Sequence, residues 1–437
     1  MRESDFDVIV IGSGCAGAIA AYVCAKQGKS VLVVERGETN GCKNMSGGRI
    51  YAHSLKKVFD TYSDGEITTS DIPYERKITH ERINMLSEKS ALTIDFTSDE
   101  LGIDGQDSYA VLRGEFDQWL SEQAENAGAE YINGISVDEL LKDENGAVIG
   151  IKAGDDEITG HVTIVAEGVN SLLTERFLGA PRPKRNQMAV GIKEVFELPA
   201  KEIESRFLCA EGEGAAMLYV GDATHGCVGG GFMYTNKESI SLGLVATIEN
   251  LSQSDTPIYQ MLDDFKKHPA VAPLLRDAKL VEHSGHMVSE GGFNMIPQVV
   301  HDGALVAGDS AMLCMNLGYM VRGMDLAVAS GQFAAEAACR AIDAQDVSAN
   351  GLASYKQALS DSFVLKDLET FKKWPHTMET WERMFTEYPA MVGEMFNAMF
   401  VVDGKPAKPL IKRMMPIIKK RGLLSLGKEV IKAVKSL

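Results

Sequence analysis

The sequence predicts an α/β fold opening on a Rossmann-like unit, and three observations in the first 37 residues carry that prediction. Asp7-Val8-Ile9-Val10-Ile11 is an apolar run of strand length. Gly12-Ser13-Gly14-Cys15-Ala16-Gly17 follows it and leads into a helix-prone, small-residue stretch from Ala18 to Gln27. Ser30-Val31-Leu32-Val33-Val34 is a second apolar run, ending on the acid Glu35. In such a unit Gly12 permits the tight turn, Gly14 lets backbone approach a pyrophosphate, and Gly17 lets the helix pack on the strand. The helix N-terminus adds free N–H groups and a positive dipole end. Glu35 can accept from both ribose hydroxyls, and its charge disfavours a 2′-phosphate. The pattern points to FAD or NAD.

At 437 residues the chain has room for two or three packed units. A formal net charge of −17 argues against a nucleic-acid partner. The N-terminus is charged and runs straight into the first strand, with no secretory pattern, and no apolar run reaches membrane-spanning length. The seven cysteines, Cys15 and Cys314 among them, are scattered and form no CxxC. No metal site is therefore expected, and most of the thiols read as buried small hydrophobes in a reducing cytoplasm, with a redox role for Cys15 or Cys314 as the lesser reading.

Further along, Gly37 to Ser54 reads as a long cofactor-facing loop. Val111-Leu112-Arg113 ends a strand and feeds a helix to about Ala127. Glu130 to Ile132 is a short strand, Ala147 to Ala153 and Glu157 to Thr159 a hairpin, and His161 to Ala166 a buried strand. From Gln187 the texture changes. Met188 to Leu198, Ala215 to Val220, Cys227 to Tyr234 and Ser239 to Thr247 are alternating or glycine-broken strands of an antiparallel sheet. A helix over Pro257 to Lys267 follows, then the apolar strand Ala304 to Ala307, which returns the chain to the first unit. A long helix covers Gly323 to Ile342, and the remainder reads as helical, with turns at Trp374-Pro375 and Asp403-Gly404.

Ala307-Gly308-Asp309-Ser310-Ala311 lies just after that returning strand and before a glycine loop, Asn316-Leu317-Gly318. Alone it could be a helix-capping turn. Paired with the N-terminal fingerprint it favours FAD: a carboxylate there can hold the ribitol, and the amides beyond it can face the flavin pyrimidine.

Taken together, Gly12 to Gly17, Glu35-Arg36-Gly37, Lys43 to His53, Val111-Leu112-Arg113, Glu167-Gly168-Val169-Asn170-Ser171, Val190 to Glu194, Gly229-Gly230-Gly231-Phe232 and Arg322 to Ala327 resemble the FixC group. That group lies in the electron transfer flavoprotein–quinone oxidoreductase family, which is related to geranylgeranyl reductases. The resemblance implies a non-contiguous FAD-binding domain of glutathione-reductase type (1–78, 105–183 and 302–345). An inserted, mainly antiparallel cap (79–104 and 184–301) and a helical C-terminal region (346–437) complete it. It implies FAD contacts from Gly12, Ser13, Gly14, Cys15, Ala16, Gly17, Glu35 and Arg36 at the AMP and pyrophosphate. Arg113 would lie near the phosphates or ribityl chain, Gly308 and Asp309 at the ribityl chain, and Ser46, Gly47 and Gly48 near the ring. Val137, Glu167, Gly168 and Gly318 complete the expected set. Three residues depart from the family pattern. Glu167 stands for a frequent Asp, Ser289 for a frequent Pro, and Met312 for a frequent Gly, where it either narrows access to the flavin or packs away. No catalytic base is named.

No second strand–GxGxxG–helix unit occurs, so hydride delivery through a separate NAD(P)H domain is disfavoured. The resemblance implies an electron transfer flavoprotein as donor, and quinone or a small ferredoxin-like iron–sulfur protein as acceptor. Two alternatives are a flavin-dependent reductase of isoprenoid or related C=C bonds and a non-catalytic assembly subunit with structural FAD. Between Gly404 and Leu437 ten cations interleave with apolar residues against the single acid Glu429. This tail can lie on an anionic membrane, dock an acidic partner, or pack on its own body. The expected location is cytoplasmic, or peripheral on the cytoplasmic face of the inner membrane. His53, His283 and His286 read as structural, and Trp374, Trp381, Phe371 and Phe385 as core or interface aromatics. Lys193 and Glu194 either face the cavity or pair on a sheet surface.

Overall fold

The computed structural model describes residues 3–437. Phe6–Ile11 is the central strand of a mostly parallel sheet. It pairs with Val31–Glu35 on one side and Asp156–Val165 on the other, placing Ile11 opposite both Val34 and Val165. Glu130–Asn133 extends one edge, and Ala304–Val306 joins Asp156–Val165 in parallel after the long excursion between them. Layers cover both faces of this sheet, which is why its strands read as unbroken apolar runs; Val8, Ile9 and Val10 are wholly buried.

Cys15–Lys26 is buried from Cys15 through Ala25. A helix buried all round needs small residues wherever a neighbour crosses it closely. Met324–Asp343 makes that crossing. A Cβ at Gly331 would sit 2.2 Å from the Ala16 carbonyl oxygen, so the two helices touch backbone to backbone. Both helices belong to the same core as the sheet.

The second sheet has nine strands and is mainly antiparallel, as the sequence predicts. Its order runs Lys279–Ser289, Met188–Glu197, Ser239–Thr247, Gly229–Thr235, Glu213–Gly221 and Lys77–Ser87. Glu213–Gly221 runs parallel to Lys77–Ser87, and Ser90–Thr97 folds back on the latter. Gly48–Tyr51 and Ser108–Val111 pair with each other and join this same sheet, although by sequence both fall in segments expected to belong to the nucleotide-binding unit. The expected loop from Gly37 to Ser54 thus ends in a strand and the start of the helix His53–Tyr62. Ala200–Phe207 and Ile258–Lys267 cover the far face of the sheet around a second core.

The C-terminal region is helical. Trp374-Pro375 is not a turn: it opens the helix Trp374–Glu379, where proline's fixed φ and missing N–H suit the first turn. Tyr388–Phe400, Leu410–Lys420 and Leu423–Val434 follow. The last helix is tied down through Glu429. Its carboxylate accepts from Trp381 Nε1 (3.1 Å), Arg383 Nη1 (3.0 Å), Ser425 Oγ (2.9 Å) and the Tyr388 hydroxyl. Among the described residues no helix is long and apolar enough to cross a membrane.

Gly331→Val forces the crossing helices apart. Denaturant unfolding of this variant should show a loss of about 3 kcal/mol, the upper range for overpacking a tight core; an unchanged midpoint would contradict the crossing geometry.

Candidate cofactor and substrate cavity

One cavity of about 970 Å³ runs between the two sheets and on to the C-terminal helices. Its first end is built by the phosphate loop. Gly12 holds φ +94°, a conformation costly for any residue with a side chain, and a Cβ there would meet the Ala166 carbonyl oxygen at 2.5 Å. A Cβ at Gly17 would lie 1.9 Å from the Gly12 carbonyl oxygen. Gly12, Gly14, Cys15 and Ala16 line the cavity, whereas Ser13 and Gly17 stand behind its wall. Ser13 braces the loop: its N–H donates to Glu35 Oε2 (2.9 Å) and its hydroxyl to Asn40 Oδ1 (2.8 Å). Glu35 also accepts from the Gly37 N–H (2.7 Å), so the acid fixes its own loop while facing the cavity. Arg36 and Val137 line this end too.

Arg113, at the start of the helix Arg113–Asn126, reaches the cavity and forms a fork with the wholly buried Asp117: Nε–Oδ1 is 2.9 Å and Nη2–Oδ2 2.7 Å. Asn44 also donates to Asp117. Burial lifts the Asp309 carboxyl above its usual range, against the pull of Arg113 and His286. Gly308 (φ +65°) packs on Ala16, where a Cβ would come within 2.8 Å of the Ala16 Cβ. The returning strand and the phosphate loop thereby meet across the cavity. Burial raises the Cys15 thiol to about 12, so it stays protonated beside the loop and carries no thiolate chemistry.

Glu167 and Gly168 also line the wall. The longer side chain of Glu167 turns back and accepts from the N–H groups of Leu173 (3.0 Å) and Thr174 (2.9 Å). Gly168, at φ +82°, donates its N–H to Ser310 Oγ (2.9 Å). Gly47, Gly48 and Gly318 line the middle of the cavity, and Ser46 does not. Met312 adopts φ +57°, in the left-handed region unfavourable to a side chain, and packs with Val169, Met188 and Met295 outside the cavity wall. Of its two readings, packing away is the one observed.

The remaining wall belongs to the second sheet and the C-terminal helices. Gly229, Gly230 and Gly231 line the cavity along one strand, where a Cβ at Gly229 would meet the Val245 carbonyl oxygen at 2.0 Å and one at Gly231 the Phe265 ring at 2.7 Å. They are a close-packed strand, not a second phosphate loop. Lys193 faces the cavity; Glu194 points to the opposite face and pairs with Lys266 (2.7 Å) and His283 (3.3 Å). Sequence reasoning missed Glu290, a half-buried carboxyl that desolvation pushes up to about 7 and that accepts from the Asn316 amide at 3.1 Å. At the far end Trp374, Met378, Trp381 and Met384 meet Val434 and Leu437 of the tail. Trp374 and Phe385 are thus both core residues and cavity wall. His53 Nε2 donates to the Asp325 carboxylate (3.2 Å).

The arrangement fits a dinucleotide: an acid-ended strand, a bare phosphate loop under a helix N-terminus, an arginine, and a buried carboxylate beyond. Comparison with known proteins agrees. Residues 7–94 match the FAD binding domain, 188–288 the ubiquinone-binding domain of ETF-QO, and 374–437 the C-terminal domain of the ETF-QO/FixC family. The chain is 46% identical, over the full length of both, to the probable electron transfer flavoprotein-quinone oxidoreductase YdiS of Escherichia coli. It is 45% identical to protein FixC of the same organism over 99% of each chain. Among solved structures, a geranylgeranyl bacteriochlorophyll reductase-like protein of Thermoplasma acidophilum shares the fold, with a TM-score of 0.72, 18% identity and 99% coverage of each chain.

Arg113→Ala strands Asp117 as an unpaired buried charge. Breaking such a pair costs about 3 kcal/mol or more. The purified variant should unfold at lower denaturant and carry less FAD, read from its visible absorbance.

Proposed function

The chain belongs to the ETF-QO/FixC family and is an FAD-dependent oxidoreductase with a ubiquinone-binding domain; from that premise we propose that it relays electrons from an electron transfer flavoprotein to quinone or a ferredoxin-like partner. In this reading Glu35 takes the ribose hydroxyls and Arg36 and Val137 flank the adenosine. Gly12 and Gly14 give backbone to the pyrophosphate with Arg113 beside it. Asp309 takes the ribityl chain, and Gly47, Gly48 and Gly318 border the flavin ring. Bound FAD supplies reversible two-electron chemistry. The protein's work is to hold it, exclude water and admit the acceptor.

The observation that carries this reading is the continuity of the cavity from the phosphate loop to an apolar end under the last helix. That end suits a molecule with a polar, reducible head and an apolar tail. The names of the full-length relatives, which are electron transfer flavoprotein-quinone oxidoreductase and FixC, support the donor and the quinone. Leu423, Leu424, Ile431 and, on the preceding helices, Phe400 and Ile411 remain exposed among tail cations. That pattern supports peripheral contact with an anionic membrane by the tail's outer face, while its inner face packs on the body.

Photoreduced, FAD-loaded protein mixed anaerobically with a short-chain ubiquinone should regain oxidised-flavin absorbance within seconds. Recovery only with a polyprenyl alkene would replace this reading with the C=C reductase, and recovery with neither would leave structural FAD. A Leu424→Glu/Ile431→Glu variant should sediment at least about tenfold less with anionic vesicles, the order expected from lost apolar burial at a lipid surface. It should still reduce the water-soluble ubiquinone at the unaltered rate.

A further inference from the structure

Among the described residues, Lys193 is a buried cation without an ion-pair partner. It lies on Met188–Glu197 between Ser239–Thr247 and Lys279–Ser289, opposite Gly243 and Ser284. The residue is 3% exposed, and its side chain lines the cavity. Nζ stands 5.2 Å from the centroid of the Phe232 ring. Its stem passes the Gly47 loop, with Cδ 3.7 Å from where a Gly47 Cβ would be. The neighbouring acid, Glu194, is committed to Lys266 and His283 on the other face of the strand. Across the cavity Arg113 repels the ammonium, and Glu282 on the adjacent strand attracts it without forming an ion pair. Burial first, and Arg113 second, bring the lysine down to about 7. A buried ammonium is retained at such cost where something else in the site needs its proton or charge.

We propose that Lys193 is a catalytic residue that donates a proton from Nζ to a quinone oxygen as the quinone is reduced. This rests on the quinone reading of the cavity. Quinone becomes quinol by gaining two electrons, supplied by the reduced flavin, and two protons. One proton leaves Lys193 as its N–H bond breaks and an O–H bond forms. The other comes from solvent, and the resulting neutral amine is reprotonated from water. Phe232 and Gly229, Gly230 and Gly231 line the cavity beside Lys193, with Nζ over the Phe232 ring, so the donor sits in a largely apolar wall where the acceptor ring would lie.

The test compares FAD-loaded wild type, Lys193→Met and Lys193→Arg. Reoxidation of each photoreduced protein is followed with short-chain ubiquinone and with ferricyanide, which takes electrons and no proton. Wild type should be fastest with ubiquinone below pH 7, where the lysine is protonated, and slow above it. Both variants should lose about 100-fold at pH 6, the usual size of a general-acid contribution, with the pH step gone and ferricyanide rates kept. Arginine retains the charge but holds its proton, so recovery in Lys193→Arg overturns proton donation. Equal ubiquinone rates and pH profiles in wild type and Lys193→Met overturn the assignment while leaving the quinone reading intact. Failure of wild type to reduce ubiquinone overturns both. An independent readout is the NMR titration of ε-13C-lysine-labelled protein: one resonance titrating near pH 7 should vanish in Lys193→Met, and its absence from wild type would also overturn the proposal.

Discussion

The cavity depends on three close approaches around the start of the helix Cys15–Lys26, two of them at Ala16. Gly17 seats the helix Cys15–Lys26 against the Gly12 carbonyl, which fixes where the helix N-terminus points. Gly331 lets Met324–Asp343 cross at the Ala16 carbonyl, and Gly308 lets the returning loop rest on the Ala16 methyl. Segments about three hundred residues apart are thereby brought into contact at one residue. Each contact is a missing Cβ and not a specific attraction. The constraint is steric: it leaves little room for relaxation, because interiors of this density do not deform continuously. The phosphate loop and Asp309 then line the same cavity.

The nucleotide-binding half was legible in the sequence because its signals are local. Strand, glycine turn, helix and acid follow one another within 35 residues of chain, and each glycine answers a backbone requirement visible in the pattern. Asp309 was legible because its short motif sits between an apolar strand and a glycine loop. The substrate half was not. Whether Lys193 or Glu194 faces the cavity is a question of strand parity, decided by pairing with Ser239–Thr247 and Lys279–Ser289 some fifty to ninety residues away. Glu290 gave no local signal either, since its partner Asn316 lies 26 residues further along the chain. Trp374-Pro375 misled for a different reason: proline breaks a helix interior and also favours a helix start, and sequence alone did not say which applied.

Charge divides the molecule. The chain as a whole is strongly acidic, while Arg113, Lys193 and Arg36 place positive charge along the cavity and the tail is basic. Within the cavity the positive groups lie toward the phosphate loop and the second sheet. The wall under the last helix is built from Trp374, Met378, Trp381, Val434 and Leu437. A guest that is polar and electron-rich at one end and apolar at the other is therefore oriented by the cavity before any specific hydrogen bond forms.

The last helix joins access to location. Val430, Ala433 and Val434 border the apolar end of the cavity, Leu424 and Ile431 are exposed, and Glu429 ties the helix to the body beside them. The only acid in a stretch of ten cations is thus spent on anchoring and not on balancing surface charge. Three of the four donors to that carboxylate, Trp381, Arg383 and Tyr388, come from outside the helix and tie it to the body. An apolar tail entering from a lipid surface would pass directly from the outer face to the inner one, along a path on which water is progressively excluded. On the proposed quinone reading, delivery of the acceptor and desolvation of Lys193 would follow from the same geometry.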